Sequence, residues 1–455
     1  MPRWFWQRRR RIACGVLLAA IATAWYQDAL SAFPNRKADR CLKIDHLDDA
    51  EWWLDLSEMC LDQNPRTSLL RARIARKKGD AELFTDYLRS FIDQGGSPDR
   101  AEKENILAAA AAGQSPALMG QLADLLIAQD IDTDEVCCAF ANGFLVANDL
   151  QQAFVLIHEW KQSFPEDPRP HYANGRVQDH LSNQAVAEQE YRLALDRVPD
   201  HYPSAFALGR LLLENNHPAE ALDCFRICLP MKHSAAARIG EAKCLRQLGE
   251  IDQAKQILDN VVSLPLEELR TAYERVSETI EGRPDCAELG SLLVSTGEAE
   301  EAINYLTMAL DANPRDLDVR YSRGIALRET GRVEEGLAEI ASVSAAREEL
   351  TRADRIVDSI DPTRPQVPER IQIGEIYLNH GSFKTSEFWL LSALSHDHEN
   401  PRALELLIRL YTDWEELNPE FREQQASNYR RQLQSLAPDS SDTIESGKKT
   451  DEAQQ

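Results

Sequence analysis

The chain copies itself. Gly175 is followed by Ala187, Tyr191, Ala194 and Pro199, and the same frame moved by 34 residues gives Gly209, Ala221, Phe225 and Cys228. Each copy reads as two short amphipathic helices, A and B. Gly175 and Gly209 are the small residues where the two helices cross, Ala187 and Ala221 are their small partners on B, and Tyr191 and Phe225 lie one turn further on and fill the core. Pro199 ends helix B, because proline cannot donate to a helix interior. One such hairpin cannot bury both of its apolar faces, so neighbours must stack and the end units must be atypical.

The frame divides the chain. Residues 1–34 are an arginine-rich start, an apolar segment and the beginning of a polar tether (32–40). Residues 35–133 hold an N-terminal helical cap and degenerate units. Within the cap, Trp52, Trp53, Leu56, Met59 and Cys60 are the expected apolar face. Firm units fill 134–268, a spacer follows at 269–282, and further units occupy 283–350. A second, proline-containing spacer spans 351–366, a last unit and C-terminal cap span 367–436, and 437–455 is a polar tail expected to be disordered. In the unit of Gly324, Gly336 stands where alanine is usual, which is expected to weaken that helix by roughly 1 kcal/mol.

These positions resemble the tetratricopeptide repeat family. The resemblance covers roughly residues 65–436. It implies an all-α fold, a right-handed superhelical α-solenoid of antiparallel helix pairs; the first residues add the expectation of an N-terminal membrane segment before it. It also implies that the A helices line a concave, partner-binding surface.

The first residues carry five arginines (Arg3 and Arg8 to Arg11) before an apolar run from Ile12 to Tyr26. Cationic flanks of this kind stay in the cytoplasm. The run is short against the ~20 residues of a membrane span, but Trp4, Trp6, Trp25 and Tyr26 extend it as interfacial anchors. Two outcomes fit: a retained single-pass anchor with its N-terminus inside and the solenoid outside the cytoplasm, or a signal cleaved near Ala22-Thr23-Ala24, which leaves a secreted or periplasmic protein. The net charge of −24 argues against a nucleic-acid partner, since phosphates need a basic surface. Cys41 and Cys60 are a candidate pair, and adjacent Cys137 and Cys138 are not expected to face the core together.

No catalytic motif appears: there is no phosphate-cradling glycine loop, no H-E-x-x-H and no G-x-S-x-G. No catalytic, cofactor-binding or metal-binding residue is assigned, and no cofactor is expected. What stands out is a basic, aromatic-edged stripe. The residue after the small A-helix position is Arg176, Arg210 and Lys243 in three successive units. Tyr172 and Phe206 lie one turn before the first two, and His180 and Arg246 lie near the far helix ends. Such a stripe suits an acidic protein or peptide segment. The alternative is that these cations pair with neighbouring acids such as Asp179 and Glu214. The asparagines of the family's C-terminal carboxylate clamp are absent, with Ala173 and Ala207 two residues before the glycines.

The expected function is therefore that of a non-catalytic, membrane-anchored adaptor or scaffold for protein–protein interaction in the cell envelope. The alternative is an accessory subunit of a polysaccharide export, secretion or glycosyltransferase system.

Overall fold

A computed structural model of the chain describes residues 32–60, 64–127, 132–147, 149–181, 183–280, 282–360, 364–414 and 419–436. These residues are helical throughout, with no strand among them. Contacts divide the chain into two compact units, residues up to Leu289 and residues from Gly290.

The first unit contains α1 (32–42), α2 (Leu47–Cys60), α3 (Pro65–Lys78), α4 (Ala81–Asp93), α5 (Pro98–Ala109), α6 (Met119–Ile127), α7 (Thr133–Val146), α8 (Leu150–Ser163), α9 (Arg169–His180), α10 (Gln184–Arg197), α11 (Tyr202–Glu214), α12 (Pro218–Ile227), α13 (Ala235–Gln247), α14 (Ile251–Val262) and α15 (Leu266–Glu274). From α9 onward, hairpins form as the repeat frame predicts. The small residues are small because of aromatic rings. A Cβ on Gly175 would sit 2.4 Å from the Tyr191 ring, and one on Gly209 would sit 3.1 Å from the Phe225 ring. Phe225 is shared with the next hairpin, since a Cβ on Gly240 would meet it at 2.5 Å.

The N-terminal elements depart from the sequence expectation. The polar tether is helix α1. α2 buries Leu47, Ala50, Leu54 and Ser57 and turns Trp52 and Met59 to solvent, so its inward face is not the expected one. Leu54 and its neighbours pack on Leu70 and Ile74 of α3, and the aromatic side is left outside. Cys137 and Cys138 are both buried, against expectation. α7 is enclosed all round over Asp134–Ala141, because α5, α6, α8, α9 and the short helical turn after α5 all pack on it. Burial pushes the Cys137 thiol up to about 12 and the Cys138 thiol to about 11. The side chain of Cys60 lies outside the described residues.

The second unit runs through α16 (Pro284–Thr296, from Gly290 on), α17 (Ala299–Ala312), α18 (Leu317–Glu329), α19 (Val333–Ser359), α20 (Val367–His380), α21 (Phe383–His396), α22 (Pro401–Asp413) and α23 (Pro419–Ser435). Most of the second expected spacer is helix, because α19 continues unbroken to Ser359 for 27 residues. Gly336 is no defect. A Cβ there would lie 2.5 Å from the Gly324 carbonyl oxygen and 3.0 Å from the Arg328 nitrogen, both backbone atoms of α18. Here α18 and α19 cross too closely for the alanine that the frame leads one to expect.

Among the described residues no helix is long and apolar enough to cross a membrane. The expected membrane segment Ile12–Tyr26 and the expected disordered tail 437–455 lie outside them.

Candidate partner-binding groove

α9 and α11 present Tyr172, Arg176, Phe206 and Arg210 together. Tyr172 and Phe206 are both buried. Tyr172 packs on Tyr191 at 6.1 Å and on His201 at 5.7 Å, with the Arg176 guanidinium 5.9 Å above its ring. Phe206 meets Phe225 edge-on at 5.4 Å. The aromatic edge is thus wedged into the hairpin core on one side and faces the groove on the other.

The groove is already filled by the protein's own chain. α15 ends in a turn that returns over α9 and α11. Tyr273 packs edge-on against Phe206 at 6.0 Å. The Glu278 carboxylate lies 4.0 Å from Arg210 Nε. The turn is closed by the Glu278 N–H donating to the Tyr273 carbonyl and the Ser277 N–H donating to the Glu274 carbonyl, with Ser277 left-handed at φ 59°. That is a Schellman cap with serine where glycine is usual, and it aims Glu278 back at the helices. Between Tyr273 and Glu278, Arg275 faces the other way. It is 5% exposed, and its Nε donates to Asp48 Oδ1 of α2 at 2.6 Å. Residues 273–278 are therefore clamped between α2 and the groove helices.

The electrostatics follow from this burial. Arg210 donates to Asp179, donates to Glu214 at 2.7 Å and lies near Glu278. Burial alone would lower its pKa, but Asp179, Glu214 and Glu278 outweigh it and hold the guanidinium above its ordinary range. Glu278 is displaced upward, chiefly by burial. Arg210 and Arg176 pull it down, and Asp179 and Glu214 push it up. On α13, Arg246 donates to the buried Glu288 at 2.5 Å and Lys243 is half-buried, while His180 is exposed at the end of α9.

The sequence stripe thus separates. Tyr172, Arg176, Phe206 and Arg210 gather around one segment, and Arg246 is engaged with its own carboxylate. The expected acids Asp179 and Glu214 do pair with Arg210. The stripe gave no sign of Tyr273 and Glu278. Their signal was the excess length between Ala254 and Ala302, since insertions in a repeat array map to one face, often the binding face.

A second polar assembly also went unread. Arg169 opens α9 and is 2% exposed. Its guanidinium donates to Glu135 at 2.5 Å, to Asp134 at 2.9 Å and to Asp167 at 2.8 Å, and it lies 5.5 Å over the Trp160 ring. Beside it Arg73 donates to Glu104 at 2.7 Å and to Asp132 at 2.6 Å, Arg76 donates to Glu135 at 3.0 Å, and Lys77 donates to Asp45 at 2.6 Å. Burial opposes ionisation of Glu135, but Lys77, Arg169, Arg76 and Arg73 hold its pKa well below the ordinary value. These charges tie α3, α5, α7 and α9 together.

Residues 288–349 match the family model described as Tetratricopeptide repeat. Over those residues the chain carries a tetratricopeptide repeat. The matched stretch covers most of α16, all of α17 and α18 and the larger part of α19, and the groove lies further upstream. No curated protein matches the chain. Among solved structures it is similar to PilW, described as a widely conserved type IV pilus biogenesis factor, at 17% identity and TM-score 0.40, covering 48% of this chain and 94% of that one. It is similar to pilF of Pseudomonas aeruginosa at 17% identity and TM-score 0.37, covering 46% and 88%. It is also similar to the human IFIT1 dimer solved with PPP-AAAA, at 13% identity and TM-score 0.39, covering 89% and 95%. At TM-scores below 0.5 these likenesses assign nothing to this chain.

Proposed function

We propose that the protein is a non-catalytic interaction scaffold whose first unit takes an extended acidic protein segment along α9 and α11, towards Lys243 on α13, in place of its own residues 273–278. The observation that carries this is the chemistry of the occupant. An aromatic ring rests on Phe206 and a carboxylate lies beside Arg210, the two features that the stripe is built to accept. Charge-assisted hydrogen bonds from Arg176, Arg210 and Lys243 would each contribute about 1.5–3 kcal/mol to a partner. The groove's own acids, Asp179 and Glu214, hold Arg210 in place while it is empty of partner. In this proposal the segment Ile12–Tyr26 anchors the scaffold with the repeats outside the cytoplasm, on the strength of Arg3 and Arg8 to Arg11 preceding it.

The test uses a labelled synthetic peptide with the sequence of residues 269–280, added in trans to the full chain. The doubly substituted chain Tyr273→Ala, Glu278→Ala should bind it at least about tenfold more tightly than the wild type, whose groove is competent only while its own segment is away. Adding Arg210→Glu should abolish binding at unchanged helicity. Equal affinity for wild type and the Tyr273/Glu278 variant, or binding that survives Arg210→Glu, would refute the groove.

A further inference from the structure

The outward side of α1 and α2 is the reverse of what the first helices of a folded unit normally show. Phe33 is 57% exposed and Trp52 is 58% exposed, and Trp52 is the one exposed tryptophan among the described residues. They are joined through Trp53, which meets Phe33 at 5.7 Å and Trp52 at 4.7 Å, edge-on in both cases. Phe33, Arg36, Lys37 and Arg40 stand at i, i+3, i+4 and i+7, so they share one face of α1. The opposite face, with Pro34, Asn35, Ala38 and Leu42, is buried. Lys37 Nζ lies 5.8 Å over the Phe33 ring, while Arg36 and Arg40 are exposed. On α2, Asp55 and Glu58 both pair with Arg71, and Asp49, one turn before Trp52, is exposed beside His46. The α1 face is thus aromatic and cationic, and joined through Trp53 to the exposed Trp52, on a chain of net charge −24.

We infer that this face lies against an anionic lipid surface. Three observations select that occupant. Exposed tryptophan and phenylalanine beside a row of arginine and lysine is the side-chain chemistry of a membrane interface, where the rings enter the headgroup layer and the cations meet lipid phosphates. Arg36, Lys37 and Arg40 share one face of α1 although the chain as a whole is strongly acidic, which fits attraction to an anionic surface. Finally, the apolar run ends at Tyr26, seven residues before Phe33. Even fully extended, that stretch reaches only about 25 Å at roughly 3.5 Å per residue. If Ile12–Tyr26 sits in a bilayer, Phe33 is held at its surface. This inference rests on the proposed anchor for that proximity, and it adds that α1 and α2 are the lipid-facing side, which would fix the orientation of the first unit on the membrane.

The full chain is reconstituted into phosphatidylethanolamine–phosphatidylglycerol vesicles with and without brominated acyl chains. The emission contributed by Trp52 and Trp53 is taken as the difference between wild type and Trp52→Phe, Trp53→Phe. That difference should fall at least about twofold in brominated vesicles, as expected for rings in the interface. Arg36→Glu, Lys37→Glu, Arg40→Glu should restore it at unchanged helicity. A difference emission equal in both vesicles would overturn the inference, whether a second copy or another protein covers the face instead. Extraction by alkaline carbonate reports on the anchor separately. If carbonate strips the wild type, the anchor falls. Neutral-pH binding to these vesicles that disappears in the triple charge variant would then still uphold the lipid-facing side, and binding indifferent to that variant would overturn it as well.

Discussion

The two units solve the same packing problem with different interiors. In the second unit the buried side chains are almost all apolar. Leu390, Leu404, Leu407, Leu410, Tyr411 and Trp414 form one core, and Arg370 and Ser386 are the only polar side chains buried among its described residues. The first unit buries Arg73, Arg76, Glu104, Asp132, Asp134, Glu135, Arg169 and Arg275 besides its apolar residues. Most of its buried charges lie away from the regular repeats, Asp285 and Glu288 of α16 being exceptions. The others sit where α1–α5, the start of α7 and the turn after α15 meet the repeat helices. Regular hairpins meet through repeated apolar contacts, and irregular elements are fixed here by partner-specific ion pairs. Buried pairs are a poor source of stability but a good source of register.

That contrast gives predictions of decreasing size. Arg169→Met should destabilise the first unit by about 3–5 kcal/mol, because it leaves the buried Glu135 and Asp134 and the half-buried Asp167 without their shared cation. Chemical denaturation followed by proteolysis should show this loss in fragments before Leu289, with fragments after Gly290 unaffected. An equal loss in both units would break the comparison.

Acid should separate the units next. The carboxyls of Asp45, Asp132 and Glu135 are held below their ordinary values; burial pushes Glu190 up, but His171, Lys161 and Asn174 hold it at about 2. A folded pKa below the unfolded one means stability that is complete above about pH 4.5 and is lost as pH falls through the folded values. Amide exchange in the first unit should therefore accelerate between about pH 4.5 and pH 2, ahead of the second unit. Acceleration of the second unit first would contradict the ionic interior.

In the second unit the sensitive point is backbone contact. Gly336→Ala should cost about 1–3 kcal/mol through overpacking against Gly324 and Arg328, although alanine is the better helix former. A stabilised variant would mean that α18 and α19 can move apart. Arg332→Ala, which removes a fully exposed pair with Glu335, should leave the thermal midpoint unchanged within error.

How far the sequence reached follows the same division. The hairpins of α9–α14 and α17–α19 were legible because a single contact, small residue against ring or branched chain, recurs at a fixed spacing. Gly175 with Tyr191, Gly209 with Phe225 and Gly290 with Leu306 are the same event. The stripe Arg176, Arg210 and Lys243 could be placed from that frame. The ionic interior could not, since each pair joins residues far apart: Arg169 to Glu135, Arg73 to Asp132, Arg275 to Asp48. No periodicity connects such partners. The outward face of α2 was misassigned because Trp52 and Met59 are apolar and so look like core; only the packing of Leu54 on α3 shows which side is inward. The occupant of the groove was hidden because an insertion reveals its length and not where it folds back.

The central claim is that partner and residues 273–278 compete for one surface. Amide hydrogen exchange of the full wild-type chain, with and without an excess of the 269–280 peptide, tests it most directly. Displacement predicts that peptide binding leaves α9 and α11 protected and strips protection from residues 266–278 of the chain. Bound peptide with the protection of 266–278 unchanged would contradict it.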